Sequence, residues 1–144
     1  TTHRESKLRL LKNAGADECI LDDSNLNEKY QGRFNKVLEL VGCKTLRDTL
    51  RCTASGGIVC NTGVLGGVFT LENFAPIQEI PSGVYLTGIH SNFPVQADID
   101  SIFAFLAEHK LNPLVGEKFA FRDITKACEA CDGGKVNGKI VVEL

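Results

Sequence analysis

The chain has 144 residues, of which 43% are hydrophobic and 24% are charged, a composition typical of one globular domain with its own core. Its 16 Lys and Arg residues nearly balance its 18 Asp and Glu residues, and no basic block points to nucleic acid or an anionic membrane as a partner. The sequence shows neither a transmembrane helix nor a signal peptide. We therefore expect a soluble, cytosolic domain. Because the chain contains no methionine, we also expect it to begin inside a longer protein.

The first half of the chain alternates helical and strand patterns. Thr2 and Glu5 have the spacing of a capping box, which predicts a helix from there to Ala14 with Gly15 as its left-handed cap. The following elements are predicted to be a strand at 18–21, a strand at 36–41, a helix at 44–53 that Gly56 and Gly57 end, and a strand at 58–60 that is buried on both faces.

The second half continues this alternation. We expect a strand at 84–89 and a helix at 97–109 that buries one stripe of apolar residues, namely Ile99, Ile102, Phe103 and Leu106. The last elements are predicted to be a strand at 118–121, a helix at 124–132 and a strand at 139–142. This order predicts an α/β fold with a parallel sheet and right-handed crossovers.

The cysteines suggest no disulfide framework, because all six lie inside apolar periodic segments of a chain that is large enough to form a core. Cys128 and Cys131 form a CxxC pair late in a helical pattern. No second pair of cysteines or histidines stands at metal-ligand spacing. We therefore predict that this pair packs in the core as reduced thiols and that the chain holds no metal.

Ligands of parallel sheets bind at the carboxyl ends of the strands, where this sequence has glycines at 42, 63, 66 and 67. Each of these glycines serves either the close approach of a ligand or only a turn. Arg4 and Lys7, at the start of the first helix, either bind a phosphate or form a solvated face. His90 either lines a cleft or lies on a surface loop. The sequence has no GxGxxG fingerprint, Walker sequence or nucleophile elbow, so no catalytic apparatus is recognised.

Several ordered segments resemble the cofactor-binding part of the medium-chain dehydrogenase/reductase superfamily, in its zinc-independent quinone oxidoreductase branch. The segments are TTHRESK at 1–7, GADE at 15–18, KVLELVG at 36–42, SGGIV at 55–59, TG at 62–63, FRDI at 121–124 and GKIVV at 138–142. The resemblance implies an incomplete Rossmann-type parallel sheet with flanking helices, which lacks the first βα unit and its Gly-rich turn. It implies a partial nucleotide-binding domain at 1–110. Residues 111–144 would then form a strand-helix-strand segment that packs toward a catalytic domain outside the chain.

The resemblance also implies a function. The chain would be the C-terminal cofactor-binding part of an NADPH-dependent oxidoreductase without zinc, with NADH as an alternative cofactor, which transfers hydride to a quinone, an enone or a related carbonyl compound. Arg4 and Lys7 would face the 2′-phosphate, and Gly42 would lie near the adenine and ribose. Thr62, Gly63 and Leu65 would approach the nicotinamide, and no catalytic residue is assigned.

The resemblance further implies a homodimer through the edge strand at 84–89, whose unpaired backbone groups could pair with a second copy. Two features depart from the family pattern. Asp22 and Asp23 stand where a carboxylate would repel the 2′-phosphate, and the missing Gly-rich turn predicts that the chain alone is inactive. A self-contained dimerisation module that binds no nucleotide remains an alternative. A flavodoxin-like regulator would need a ligand-binding turn after the first strand, which the sequence does not show.

Overall fold

The computed structural model describes residues 1–90 and 93–144 and has the predicted α/β architecture with parallel strands. Short 3-10 turns lie at Glu5–Lys7 and Phe121–Asp123. In chain order the elements are α1 (Leu8–Asn13), α2 (Leu26–Tyr30), β1 (Phe34–Glu39), α3 (Leu46–Cys52), β2 (Thr53–Asn61), α4 (Pro76–Glu79), β3 (Tyr85–Gly88), α5 (Gln96–Glu108), β4 (Val115–Ala120), α6 (Ile124–Asp132) and β5 (Lys139–Glu143).

The chain divides into two compact units, residues 1–92 and 93–144. The first contains a parallel sheet in the order β1-β2-β3, in which Val37 pairs with Val59 and Val59 with Leu86. The second contains a parallel pair formed by β4 and β5. The domain boundary after residue 110 stays a prediction.

The core of the first unit lies between α3 and the sheet. Leu46 and Leu50 are one helical turn apart and therefore share a face of α3. This face packs against Val59 of β2 and against Val84. Leu50 and Val59 are completely buried. These contacts hold α3 against one face of the sheet.

The first helix begins later than the capping box predicts. The Thr2 hydroxyl accepts a hydrogen bond from the Arg4 N–H at 3.2 Å, and the backbone of Thr2 forms a parallel bridge with Leu21. The chain is therefore still extended at this point, and α1 starts only at Leu8. The predicted strand at 18–21 is reduced to this single bridge. The left-handed conformation of Gly15 is confirmed by its φ of 98°.

The glycines after α3 do not end that helix, which was a wrong prediction. The helix stops at Cys52, and Gly56 and Gly57 lie inside β2, where the register with β1 shifts. Gly56 has a φ of 81° and donates its N–H to the Gly83 carbonyl at 2.8 Å. The strand at 58–60 was also predicted to be buried on both faces, which is wrong. Val59 is completely buried on one face, but Ile58 on the other face is 39% exposed.

Two predictions about packing in the second unit are also wrong. On α5, Ile102 and Phe103 are exposed, because periodicity determines which side chains share a face but not whether another surface covers that face. On α6, Ala127 is buried, whereas Cys128 and Cys131 are exposed. The buried face of this short helix is thus too narrow to include the CxxC pair. All six cysteines are free thiols, as predicted.

Candidate functional site

Two loops meet at the carboxyl edge of the sheet, one after β1 and one after β2. The backbone carbonyl of Glu39 accepts hydrogen bonds from the N–H groups of Thr62 and Gly63, at 3.0 and 3.1 Å. One residue further along the first loop, the Leu40 carbonyl accepts the N–H of Leu65 at 3.1 Å. The two loops are therefore joined by backbone hydrogen bonds at successive positions.

Glycines make this contact possible. Gly42 has a φ of 90°, and a Cβ atom there would lie 2.5 Å from the Gly63 carbonyl oxygen. A Cβ atom at Gly63 would lie 1.9 Å from the Leu40 carbonyl oxygen. Gly67, with a φ of 71°, has open space around it. Gly42 and Gly63 are thus required for the two loops to touch, whereas Gly67 is required only by its backbone conformation.

Glu39, at the end of β1, is a buried carboxylate that the sequence reasoning did not single out. It is only 5% exposed. Its Oε1 accepts the N–H groups of Val41 and Gly42 at 2.7 and 3.0 Å, and its Oε2 accepts the Thr49 hydroxyl of α3. The available signal was a charged residue inside an apolar run, three residues before Gly42.

A first cavity of about 380 Å³ lies beside the loop after β1. His3 closes one side, where its Nδ1 lies 2.9 Å from the Asp22 carbonyl oxygen and its Nε2 lies 3.9 Å from the Asp22 carboxylate. The Asp22 carboxylate also accepts the Ser24 N–H at 2.8 Å. The lining residues are His3, Asp22, Ser24, Val41, Lys44, Thr45, Asp48, Leu65 and Gly66.

The two adjacent aspartates have different surroundings. Asp22 lines the first cavity, whereas Asp23 forms an ion pair with Lys29 at 3.1 Å. The hydrogen bond from Lys29, helped by the Asn25 N–H, lowers the pKa of Asp23. Of the two carboxylates that the sequence places against a phosphate, therefore, only that of Asp22 faces this cavity.

A second cavity of about 560 Å³ lies beside the loop after β2. The Thr62 hydroxyl donates to the Ile89 carbonyl at 2.7 Å and so connects the ends of β2 and β3. His90 lines this cavity, so of the two alternatives for this residue, a place beside a cleft agrees with the structure. Within residues 1–90 and 93–144, the buried Oδ1 of Asn61 has no hydrogen-bond partner. The lining residues are Asn61, Thr62, Gly63, Val64, Phe69, Gly88, Ile89 and His90.

The predicted cofactor residues are distributed unevenly over this edge. Leu65 lines the first cavity, and Thr62 and Gly63 line the second. Arg4 precedes the 3-10 turn before α1, and Lys7 is the last residue of that turn, where its N–H donates to the Arg4 carbonyl at 2.9 Å. Neither of them is among the residues that line the two cavities, although the neighbouring His3 is.

The residues present fit the two ends of a dinucleotide. The first cavity offers the Asp22 carboxylate, two hydroxyl-bearing residues and the Lys44 ammonium group, which suit ribose hydroxyls and a phosphate. The second offers Phe69 and the unpartnered Asn61 oxygen. In the part of the chain that the structure describes, no group of three or more His, Cys, Asp or Glu side chains is placed to hold a metal ion. None of the described helices is long and apolar enough to cross a membrane.

Solved structures share this fold. An NAD-dependent alcohol dehydrogenase is 22% identical, with a TM-score of 0.78 over 98% of this chain and 42% of its own. The quinone oxidoreductase from Coxiella burnetii is 20% identical, with a TM-score of 0.75 over 100% of this chain and 44% of its own. The yhdH oxidoreductase from Salmonella enterica in complex with NADP is 24% identical, with a TM-score of 0.74 over 98% of this chain and 44% of its own.

The chain therefore spans less than half the length of these proteins. No curated protein matches its sequence. A family model described as zinc-binding dehydrogenase matches residues 14–142, which is most of the chain. The resemblance to the medium-chain dehydrogenases/reductases is thereby confirmed: the chain belongs to their zinc-binding dehydrogenase family. The zinc-independent branch and the absence of zinc stay predictions.

Proposed function

We propose that this chain forms the nicotinamide-cofactor-binding part of an NAD(P)H-dependent oxidoreductase. The observation that carries the proposal is the pair of loops after β1 and β2, which are joined by backbone hydrogen bonds and bordered by a cavity on each side. This arrangement lies at the carboxyl edge of a parallel sheet, where such folds bind nucleotides. When bound, the cofactor supplies a hydride to a quinone, an enone or another carbonyl compound.

Each cavity has its own part in this proposal. The first takes the adenosine end, where Asp22 and Ser24 bind ribose hydroxyls. Gly42 lines neither cavity and contributes by letting the loop after β1 contact the loop after β2. The second takes the nicotinamide end, which Thr62 and Gly63 approach from the loop after β2. Leu65 belongs to the same loop but lines the first cavity and not the second. In this proposal it therefore contacts the adenosine end, and not the nicotinamide as the sequence resemblance implied.

We further propose that NADPH is the preferred cofactor. Arg4 and Lys7 supply positive charge toward a 2′-phosphate, and the Asp22 carboxylate opposes it. The ion pair with Lys29 offsets the negative charge of Asp23, so this carboxylate adds little repulsion against the 2′-phosphate. Among the similar structures, one is an NAD-dependent enzyme and another is in complex with NADP.

Residues outside the chain complete the active site in this proposal, because the similar enzymes are more than twice as long. The chain by itself is therefore expected to bind cofactor without turning over substrate. Its assembly as a homodimer through β3 is also a proposal. It is supported by the exposed Tyr85 and Ile89 and by an edge that is unpaired within the described residues. The cytoplasmic location stays a prediction from the sequence.

The test is a calorimetric titration of the chain with NADPH and, in parallel, with NADH, at low and moderate salt. We expect saturable NADPH binding that weakens with salt. Lys7→Glu should weaken NADPH binding much more than NADH binding, because only NADPH carries the 2′-phosphate. Lys135→Glu, which makes the same charge change at an exposed residue of the other unit, is the control and should change neither affinity.

A folded chain that binds neither nucleotide would contradict the proposal. If that chain were also a stable dimer by sedimentation, with a thermal midpoint that ignores NADPH, the dimerisation module would be the better function. The exposed edge of β3 is the observation that favours this second candidate.

A further inference from the structure

We propose that Glu39 is a positioning residue of the cofactor site, which sets the shape of both loops without contacting the cofactor. This inference rests on the proposed function. Its basis is that a single residue at the end of β1 holds both loops, one through its carboxylate and one through its backbone carbonyl. No other role is evident for this buried charged group, because it lines neither cavity.

The carboxylate acts on the loop after β1. Its Oε1 receives two backbone N–H groups, those of Val41 and Gly42, at 2.7 and 3.0 Å. Its Oε2 receives the Thr49 hydroxyl, which fixes the carboxylate against α3. Hydrogen bonds to a buried charged acceptor are stronger than those between neutral groups. The turn at Val41 and Gly42 is thus connected through the Glu39 carboxylate to α3, the helix that packs against the sheet.

The backbone carbonyl of the same residue acts on the loop after β2, because it accepts the N–H groups of Thr62 and Gly63. The turn that the carboxylate holds is itself in close contact with this second loop at Gly42 and Gly63. Val41 lines the first cavity, while Thr62 and Gly63 line the second. A displacement of Glu39 would therefore change a wall of each cavity.

Burial explains why an apolar residue cannot take this role. With Leu at position 39, the N–H groups of Val41 and Gly42 would lose their common acceptor, and a buried unpaired N–H is costly. The turn would then rotate until both groups found water or another acceptor. Gln differs from Leu, because its carbonyl oxygen can occupy the Oε1 position while its amide group faces the Thr49 hydroxyl, which can accept.

The experiment compares Glu39→Leu with Glu39→Gln by two measurements. The first is the Kd for NADPH by calorimetry, at a temperature at which circular dichroism shows each variant to be folded. The second is the hydrogen exchange of the Val41 and Gly42 amides by NMR without nucleotide. We expect Glu39→Leu to weaken binding by at least about tenfold and to accelerate exchange at both amides. Glu39→Gln should stay within about threefold of the wild type in both.

Glu28→Leu is the matched control, since it removes an exposed glutamate and should leave both measurements unchanged. If Glu39→Leu does not fold, Thr49→Val tests the same support, because it removes the hydroxyl that holds Oε2. That variant should bind NADPH more weakly and exchange Gly42 faster. Unchanged values in Thr49→Val would then overturn the proposal.

The outcomes separate this inference from the function on which it rests. A wild-type chain that binds neither NADPH nor NADH overturns the proposed function and the positioning role with it. A wild-type chain that binds, together with a folded Glu39→Leu variant of equal affinity, overturns the positioning role alone. In that case a lower Tm of the variant would identify Glu39 as a residue of stability only.

Discussion

The two compact units of this chain use similar patterns of apolar residues with very different results. In residues 1–92, α3 places Leu46 and Leu50 against the sheet, and both are buried. In residues 93–144, α5 has the more regular amphipathic pattern, yet Ile102 and Phe103 are more than half exposed. Ala127 is the only hydrophobic residue of this unit that is buried. An apolar stripe is thus a reliable sign of a helix but a poor sign of a core.

The largest expected effect is on stability. Leu50→Ala removes a completely buried side chain of the first unit and should lower the free energy of unfolding by about 2–5 kcal/mol, since it leaves a cavity. Leu111→Ala, the same change at a residue of the second unit that is 50% exposed, should cost about 1 kcal/mol or less. Urea unfolding of both variants measures the difference. Equal losses would show that the two units are packed equally well.

A second prediction compares the cysteines of the two units. Cys52 is buried, and this burial raises the pKa of its thiol to about 11, with a further contribution from Asp48. Cys128 and Cys131 are exposed. At pH 8 we expect iodoacetamide to label these two faster than Cys52 by about two orders of magnitude, because the thiolate is the reactive form. Mass spectrometry of timed samples gives the rates, and early labelling of Cys52 in the folded chain would disprove a closed first unit.

The smallest effect concerns pH. In the first unit, the Arg47 guanidinium donates a hydrogen bond to Glu79 and, at 2.8 Å, another to the Glu72 carbonyl. The hydrogen bond from Arg47 lowers the pKa of Glu79, so the stabilisation is present above the ordinary glutamate pKa and is lost as pH falls through the lowered value. In the second unit, Asp123 raises the pKa of Lys126. That stabilisation is present below the ordinary lysine pKa and is lost as pH rises through the raised value.

Thermal unfolding between pH 6 and 3 tests the pair in the first unit. The wild type should lose stability over this range more steeply than Glu79→Gln, because the variant has no carboxylate to protonate. Lys126→Gln removes the ion pair of the second unit. Above pH 10 the thermal midpoint of this variant should fall less steeply with pH than that of the wild type, because the variant has no ammonium group to deprotonate. If the thermal midpoints of the wild type and Glu79→Gln fall equally between pH 6 and 3, the ionised Glu79 does not contribute to the stability of the first unit.

Local patterns predicted the order of the elements well, because alternating helices and strands, apolar runs and a left-handed Gly15 are encoded by neighbouring residues. They failed at Gly56 and Gly57, which lie in the part of β2 where the register with β1 shifts and where the Gly56 N–H donates to the Gly83 carbonyl. Glycine in a strand often marks such an irregularity. They also failed for α5, since the cover of an apolar face depends on distant parts of a protein.

The candidate site was predictable only in part. Gly42, Thr62 and Gly63 were recognised because they follow strands in a known family pattern, and the structure brings them together at one edge. Glu39 was missed because its partners become visible only in three dimensions. The 2′-phosphate role of Arg4 and Lys7 stays a prediction, since it depends on a bound cofactor.

The contact between Gly42 and Gly63 also limits how this site can evolve. A side chain at position 42 would collide with the Gly63 backbone, and one at position 63 would collide with the Leu40 backbone. A single substitution at either glycine therefore cannot reshape one loop while the other stays in place. Variation in ligand preference is therefore expected among residues that line the cavities without supporting the loops, such as Ser24 and Lys44. The backbone contacts between the two loops therefore limit substitution, whereas side chains that only line the cavities can be substituted one at a time.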